Sequence, residues 1–117
     1  MFVSATRSPF SFTYRPPEEA AAFGDVRVDF ARMSLIRHGR EIQLTATEFK
    51  LLAFLLQNPE RVITRSELLE TVWGLPPDPK TRTVDIHISK LRQKLEANPA
   101  NPVHLRTVHW AGYKFLP

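Results

Sequence analysis

The most regular pattern of apolar and polar positions lies between Thr81 and Asn98, in the segment TRTVDIHISKLRQKLEAN. Apolar side chains recur there at i, i+4, i+7 and i+11, which places them on one stripe of an α-helix. The members of this stripe are Val84, Ile88, Leu91 and Leu95. The pattern predicts an amphipathic helix that buries the stripe against the rest of the protein.

The opposite side of this helix is polar and basic. It carries Arg82, Ile86, Ser89, Lys90 and Gln93, flanked by Thr83, Asp85 and Arg92. By composition alone, a solvated surface helix fits equally well. Ile86 favours a binding face, because a solvated face gains nothing from a β-branched apolar side chain. The polar groups are those that pair with base edges or phosphates, and an isoleucine is able to touch a thymine methyl group. We interpret this segment as a recognition helix for the DNA major groove.

Before the helices, the pattern has the period of two that is typical of strands. Val26, Val28 and Phe30 alternate with polar residues, and two further runs follow at residues 33–37 and 41–44. The glycine in the intervening His38-Gly39-Arg40 segment supplies the backbone freedom of a tight hairpin. These runs predict a small antiparallel sheet.

Two capping boxes predict where two further helices begin. TATE at residues 45–48 and TRSE at residues 64–67 each place a threonine at the N-cap and a carboxylate three residues later. The first helix is expected to end before Pro59 and the second at Gly74. Residues 62–63 between them are expected to pair briefly with the sheet.

Prolines divide the rest of the chain. The segment GLPPDPK at residues 74–80 is predicted to be a rigid, protruding loop that either simply connects two helices or offers a contact surface. After the third helix, residues 103–109 and 113–116 are predicted to form two strands joined around residues 110–112. The expected fold is α+β, with an N-terminal antiparallel sheet, three helices and a C-terminal hairpin.

Composition indicates one globular domain. The chain has 117 residues, 43% of them hydrophobic and 24% charged, and it contains no cysteine. Residues 1–23 lack a sustained period and are expected to be a linker or tail, with SFTY at residues 11–14 as a candidate edge strand. Residues 24–117 are expected to form the folded domain. No apolar run is long enough for a membrane span, and no signal peptide is recognisable, so a cytoplasmic location is expected.

Charge is concentrated in the last third of the chain. The net charge is +4, yet residues 80–117 alone carry seven basic and two acidic side chains, a net charge of +5. Such segregation is the electrostatic footprint of a protein that binds a polyanion. A module that binds another protein through the third helix or the proline-rich loop is the alternative, and it predicts only a weak dependence of binding on salt.

Catalysis is not expected. The histidines are His38, His87, His104 and His109. They are scattered, and there is no HExxH motif, glycine-rich phosphate loop or paired-carboxylate motif. We therefore expect no enzyme activity, no metal and no cofactor.

The order of these elements resembles the winged helix-turn-helix effector domain of OmpR/PhoB-type response regulators. The resemblance lies in LTATEFKLLAFLLQNPERVITRSELLETVWG, RTVDIHISKLRQKL and LRTVHWAGYKF, and it spans roughly residues 24–117. It implies sequence-specific binding of double-stranded DNA in transcription regulation within a two-component system. The third helix would enter the major groove, and the hairpin, or wing, would reach the minor groove.

The resemblance also implies site residues and partners. The DNA-binding set would be Trp73, Arg82, Thr83, Asp85, Ile86, His87, Ser89, Lys90, Arg92, Lys94, Thr107, His109 and Trp110. The loop facing RNA polymerase would be Leu75, Pro76, Pro77, Asp78, Pro79 and Lys80. A second copy of the protein on an adjacent repeat is a further expected partner.

Within the DNA-binding set, the resemblance implies different roles. Arg82 and Thr83 would meet the backbone or bases at the start of the recognition helix. Trp73 and His87 would lie near phosphates. The groove-facing positions would be Asp85, Ile86, Lys90 and Arg92.

Two features depart from the family pattern. The wing has His109-Trp110-Ala111 where Arg-Gly is common, and Ser89 stands where a basic residue is frequent. Fewer fixed charges predict a modest affinity. A complete regulator of this type also has a receiver domain with a phosphorylated aspartate, for which the residues before Gly24 are too few. The sequence is therefore expected to be the effector part of a longer regulator, or a stand-alone regulator without phosphorelay control.

Overall fold

The structure is a computed structural model, and it describes residues 21–117. Its elements in chain order are β1 (Ala21–Phe23), β2 (Val26–Asp29), β3 (Ser34–Arg37), β4 (Arg40–Gln43), α1 (Ala46–Gln57), β5 (Val62–Ile63), α2 (Arg65–Leu68) with a π-helical last turn (Leu69–Trp73), α3 (Thr83–Leu95), β6 (Leu105–Val108) and β7 (Gly112–Phe115). This is the α+β winged helix-turn-helix arrangement, so the predicted fold class is confirmed. None of the helices in the described part of the chain is both long and apolar enough to span a bilayer.

The N-terminal sheet is antiparallel, with strand order β1-β2-β3-β4. The predicted hairpin between β3 and β4 is confirmed, with Arg37 paired to Arg40. His38 and Gly39 between them both have positive φ, 54° and 74°. A two-residue turn with two positive φ angles matches the right-handed twist of the flanking strands, so the turn itself sets the register.

The first strand of this sheet lies inside the segment predicted to be a linker or tail. Ala21 pairs with Val28, and Phe23 is buried. The ring of Phe23 packs edge-on against His104 and Phe115, with centroids 5.0 and 4.9 Å apart. A strand of three residues is too short to show a period, which is why no pattern along the chain indicated it. The candidate strand at residues 11–14 lies outside the described residues.

The two predicted capping boxes differ in the structure. In α1, the Thr45 hydroxyl accepts a hydrogen bond from the Glu48 backbone N–H, and the Glu48 carboxylate accepts one from the Thr45 N–H, at 3.1 and 2.9 Å. In α2, Thr64 caps the Glu67 N–H in the same way. The Glu67 carboxylate, however, binds the Arg61 guanidinium. The second capping box is therefore only half formed, because the Glu67 carboxylate pairs with Arg61 instead of accepting a hydrogen bond from the Thr64 N–H.

A second, three-stranded sheet contains the wing, with order β5-β7-β6. Our prediction that residues 62–63 join the preceding sheet was wrong, since Val62 pairs with Lys114 and Ile63 with Tyr113 of β7. Gly112 makes this approach possible. A Cβ atom at Gly112 would lie 2.1 Å from the Ile63 carbonyl oxygen. The wing is thus anchored to the segment between α1 and α2.

The core forms where α1, the last turn of α2 and α3 meet the two sheets. The predicted stripe of α3 is confirmed, since all of its members are buried: Val84, Ile88, Leu91 and Leu95. They belong to one apolar cluster that also contains Leu51, Leu52 and Leu105. Burial of this stripe fixes the rotation of α3 and therefore decides which of its side chains face solvent.

Candidate DNA-binding surface

The exposed side of α3 is the one predicted from the sequence. Arg82, Ile86, Ser89, Lys90 and Gln93 are all exposed, and Ile86 retains 49% of its accessible surface. Arg82 occupies the N-cap position and makes no capping hydrogen bond through its side chain. Three groups that can pair with bases or phosphates (Arg82, Lys90 and Gln93) therefore surround one exposed apolar group.

The start of α3 follows the proline-rich loop. Gly74, in the left-handed conformation at φ 68°, ends the second helix. Every residue from 74 to 80 is exposed, including the apolar Leu75. At the end of the loop, the hydroxyls of Thr81 and Thr83 lie 2.9 Å apart, so the Thr83 side chain is held by a neighbour at the first turn of α3.

Trp73 and His87 lie together where the second helix ends beside α3. Their rings meet edge to face, with centroids 5.1 Å apart, and both side chains are half-buried. His87 Nδ1 lies 2.9 Å from the Thr83 carbonyl oxygen. Because a carbonyl only accepts hydrogen bonds, Nδ1 carries the proton in this contact. The pair is held firmly at the rim of the exposed face.

Asp85 is engaged within the domain. One of its carboxylate oxygens accepts hydrogen bonds from Arg65 Nε at 2.7 Å and from the Tyr113 hydroxyl at 2.5 Å. Burial alone would raise the pKa of Asp85, but these two hydrogen bonds and the charges of Arg65 and Arg82 outweigh burial, and the pKa is lowered. Conversely, burial and the hydrogen bond to Asp85 raise the pKa of Tyr113. The pair therefore stays as carboxylate and neutral phenol at neutral pH.

Arg92 and Lys94, both predicted to contact DNA, donate to other parts of the domain. Arg92 Nε donates to the Leu105 carbonyl at 2.9 Å, and Arg92 Nη2 donates to the Thr107 hydroxyl at 2.8 Å. Lys94 Nζ lies 2.6 Å from a Glu48 carboxylate oxygen and also donates to the Gln43 carbonyl. The ammonium of Lys94 is thus engaged by α1 and the N-terminal sheet, and its contact with DNA stays a prediction.

The wing tip exposes an aromatic ring. The Ala111 N–H donates to the Val108 carbonyl at 2.9 Å and closes a turn over His109 and Trp110. Trp110 has the left-handed φ of 67°, and its side chain is fully exposed. His109 and Thr107 are exposed as well. The turn holds Trp110 in a conformation that glycine adopts more easily, and it aims the indole away from the domain.

Comparison with known proteins decides the family. The sequence model described as "Transcriptional regulatory protein, C terminal" matches residues 39–115.

The chain belongs to this family, the DNA-binding effector domains of OmpR/PhoB-type response regulators.

Individual relatives agree. This effector domain is 47% identical over 91 residues to the sensory transduction protein RegX3 of Mycobacterium tuberculosis, a match that covers 78% of the chain and 40% of RegX3. The chain therefore spans well under half the length of this relative. Among solved structures it is similar to the Klebsiella pneumoniae RstA DNA-binding domain in complex with the RstA box, with a TM-score of 0.76 and 29% sequence identity. This match covers 85% of the present chain and 98% of the RstA domain. It is also similar to the response regulator DrrB of Thermotoga maritima, an OmpR/PhoB homologue, with a TM-score of 0.74 and 36% sequence identity. This match covers 84% of the present chain and 44% of DrrB.

Two residues that contact Asp85 in this effector domain were not expected from its sequence. Arg65 and Tyr113 surround the Asp85 carboxylate, and the Arg65 guanidinium also lies 5.5 Å from the centre of the Tyr113 ring. Arg65 is 20 positions from Asp85 and Tyr113 is 28 positions away, so no periodicity connects them. Within residues 21–117, no group of three or more histidine, cysteine, aspartate or glutamate side chains is arranged to hold a metal ion.

Proposed function

We propose that this effector domain binds double-stranded DNA with α3 in the major groove and the wing tip at the adjacent minor groove. The observation that carries the proposal is the exposure of Ile86 among Arg82, Lys90 and Gln93, on the side of α3 opposite its buried stripe. Exposure to water gives an isoleucine no stabilising contact at this position. In a major groove, by contrast, Ile86 can contact a thymine methyl group and its neighbours can pair with base edges. The solved complex of the similar RstA domain with its RstA box supports this role.

The proposed contacts fall into two classes. Arg82, Ile86, Ser89 and Lys90 would meet base edges or the backbone in the major groove, because their side chains are exposed. Phosphates would lie against the rim of this face and the wing tip. The residues proposed there are Trp73, Thr83, His87, Thr107, His109 and Trp110.

The test compares Lys90→Ala with Arg40→Ala. Both variants remove one exposed positive charge, but Arg40 lies in β4 of the N-terminal sheet. A duplex is first selected from a random pool by the wild-type domain. Lys90→Ala should relax preference at particular base pairs by roughly 1–3 kcal/mol, while Arg40→Ala leaves selected and random duplexes bound as before. Equal loss on both duplexes would make Lys90 a phosphate contact instead.

Salt dependence tests the proposal as a whole. We expect log Kd for random duplex to change with log salt by a slope of about 3 to 6 in magnitude, because a handful of phosphates is neutralised. A flat response between low and physiological salt would favour the protein-binding alternative. Because double-stranded DNA is the proposed partner, the cytoplasm is the proposed working location.

We further infer that the loop at residues 74–80 contacts RNA polymerase, as the family resemblance implies. The support is that every loop residue is exposed and that Leu75 leaves an apolar side chain in water. Leu75→Ser should leave DNA affinity unchanged but reduce transcription from a template carrying the selected site. If transcription is unchanged, the loop serves only as a connection.

A second copy on an adjacent repeat is the remaining proposed partner. Duplexes with one or two copies of the selected half-site distinguish this from binding as a single molecule. Two domains bound to the longer duplex with cooperative affinity would support paired binding. Independent binding of each domain would exclude it.

A further inference from the structure

The recognition helix and the wing meet through two side chains of α3. Asp85 and Arg92 are seven positions apart, two helical turns, and so lie on the same edge of α3. Asp85 binds the Tyr113 hydroxyl, and Arg92 binds the Thr107 hydroxyl. Thr107 and Tyr113 are directly opposite each other in the β6–β7 ladder. Two positions of one helix therefore hold one cross-strand pair of the wing.

Further contacts make this junction stiff. Arg92 also donates to the Leu105 carbonyl, so its planar guanidinium is fixed by two bonds to β6. The Arg65 and Arg92 guanidiniums lie 5.5 and 5.7 Å from the centre of the Tyr113 ring. Arg65 is also paired to Asp85, which ties the start of α2 to the same point.

We propose that Asp85, Arg92, Thr107 and Tyr113, which we call the wing brace, set the position of the wing relative to the recognition helix and thereby couple the contacts in the two DNA grooves. Asp85, Arg92 and Tyr113 are then positioning residues, and Thr107 is in addition an exposed candidate contact. The inference rests on the proposed binding mode, with α3 in the major groove and Trp110 at the minor groove.

The hydroxyl of Tyr113 allows this role to be isolated. Tyr113 is only 4% exposed, so any effect of its substitution on DNA binding is indirect. Tyr113→Phe keeps the buried ring beneath the two guanidiniums and removes only the bond to Asp85. The variant should fold, yet its wing should be held less firmly.

The experiment is a double-mutant cycle on the selected duplex. Kd is measured for the wild type, Trp110→Ala, Tyr113→Phe and the double variant. If the brace delivers the wing tip to the DNA, Trp110→Ala should weaken binding less in the Tyr113→Phe background than in the wild type, with a coupling of roughly threefold or more. The control cycle pairs Trp110→Ala with Lys90→Ala, which lies on α3 outside the brace, and its effects should multiply independently. Additivity in both cycles would overturn the brace.

Arg92→Lys separates the brace from a direct phosphate contact. Lysine keeps the charge but cannot reproduce the two-pronged grip on Leu105 and Thr107. The brace predicts that Arg92→Lys also reduces the effect of Trp110→Ala by roughly threefold or more, whereas a simple phosphate contact would leave that effect unchanged.

Footprinting distinguishes failure of the brace from failure of the binding mode. In the wild type, hydroxyl-radical protection should mark the minor groove beside the wing, and base-methylation protection should mark the major groove. Tyr113→Phe should weaken the first and keep the second. If the wild type leaves the minor groove unprotected, the proposed binding mode is wrong. If both patterns persist unchanged in Tyr113→Phe, only the brace is wrong.

Discussion

Ile86 and Arg92 belong to the same predicted face of α3, yet the structure separates them. Ile86 lies in the middle of the polar side with 49% of its surface exposed, whereas Arg92 lies on the flank that contacts the wing. A guanidinium that already donates to Leu105 and Thr107 has fewer donors for a base. The central residues of this face, such as Ile86, thus keep their proposed role as DNA contacts. The flanking residues Asp85 and Arg92 instead bind side chains and backbone of the wing.

Substitution of Ile86 should weaken DNA binding without destabilising the fold. Ile86→Ser should change the free energy of unfolding by no more than about 0.5 kcal/mol, as for ordinary surface positions. It should weaken binding to a selected site that contains the contacted thymine but spare random duplex. The loss should shrink when uracil, which lacks the methyl group, replaces that thymine.

Ile88→Ser is the matched control, because Ile88 is on the same helix and fully buried. That change should cost several kcal/mol of stability, roughly 2–5, through lost apolar burial and a buried hydroxyl. If the two substitutions destabilise the fold equally, α3 is rotated from the orientation described.

At the scale of elements, Glu48 joins α1, α3 and the N-terminal sheet. It completes the capping box of α1, and it pairs with Lys94, whose ammonium also binds the last residue of β4. Burial would raise the pKa of Glu48, but the hydrogen bonds from Lys94 and Thr45 and the charge of Lys94 lower it. A buried ion pair is favourable only when its remaining hydrogen bonds are met, and here the backbone provides them.

The pH dependence of stability should reveal this pair. A carboxyl group whose pKa is lowered by folding adds stability above its unfolded pKa, about 4.3 for glutamate, and loses it as pH falls through the folded pKa. Glu48→Gln should therefore cost about 1–3 kcal/mol at pH 7. The difference in free energy of unfolding between Glu48→Gln and the wild type should become smaller below about pH 5.

Urea unfolding from pH 3 to pH 7 measures this difference. The exposed Glu70→Gln is the control, with an expected effect within about 0.5 kcal/mol. A deficit in Glu48→Gln that stays constant across the whole range would show that the lost ionisation is not its cause.

The attachment of the wing to β5 depends on Gly112. Its φ of 142° is unfavourable for other residues, and an added Cβ would strike the Ile63 carbonyl oxygen. The strained φ alone should cost Gly112→Ala about 1–3 kcal/mol of stability, and the clash with Ile63 should add to this loss. The variant should also bind DNA more weakly, because the wing is displaced.

Gly39→Ala provides the comparison for Gly112→Ala. Gly39 also has a positive φ, but no atom lies within 4 Å of the position its Cβ would take. Thermal unfolding should show a clearly smaller loss for Gly39→Ala, with DNA binding intact. Equal losses would mean that the contact with Ile63 adjusts without cost.

At the scale of the whole molecule, the N-terminal strand closes the fold on its C-terminal end. Phe23 contacts His104 and Phe115, so residues near opposite ends of the described chain share one part of the core. A Cβ on Gly24 would lie 2.5 Å from His104 Nε2, which shows how closely the first turn approaches this ring. We therefore propose that the folded unit begins at β1 and not at Gly24.

Removal of this strand should be costly. Phe23→Ala should lower the free energy of unfolding by about 3–5 kcal/mol, as for other buried phenylalanines. A chain that begins at residue 24 should be less stable than one that begins at residue 21. Denaturant titration of both chains measures the difference, with Ala22→Ser as an exposed control in the same strand. Equal stabilities would support the boundary predicted at Gly24.

The sequence by itself determined the elements and faces that depend on neighbouring residues. The stripe of α3, the turn at His38-Gly39, the threonine caps and the glycine stop of the second helix all follow from groups within a few positions of one another. Backbone geometry fixes the outcome over such short distances. The family resemblance, and with it the class of function, follows from the order of these same elements.

Only the tertiary structure decided which side chains are still available to a ligand. Lys94 is drawn to Glu48, 46 positions away, and Asp85 to Arg65 and Tyr113, 20 and 28 positions away. The pairing of β5 with β7 and the burial of Phe23 are equally remote in sequence. A helical pattern shows which side a residue faces, but its partners depend on how distant segments pack, because charges and donors bind whatever folding brings within a few ångströms.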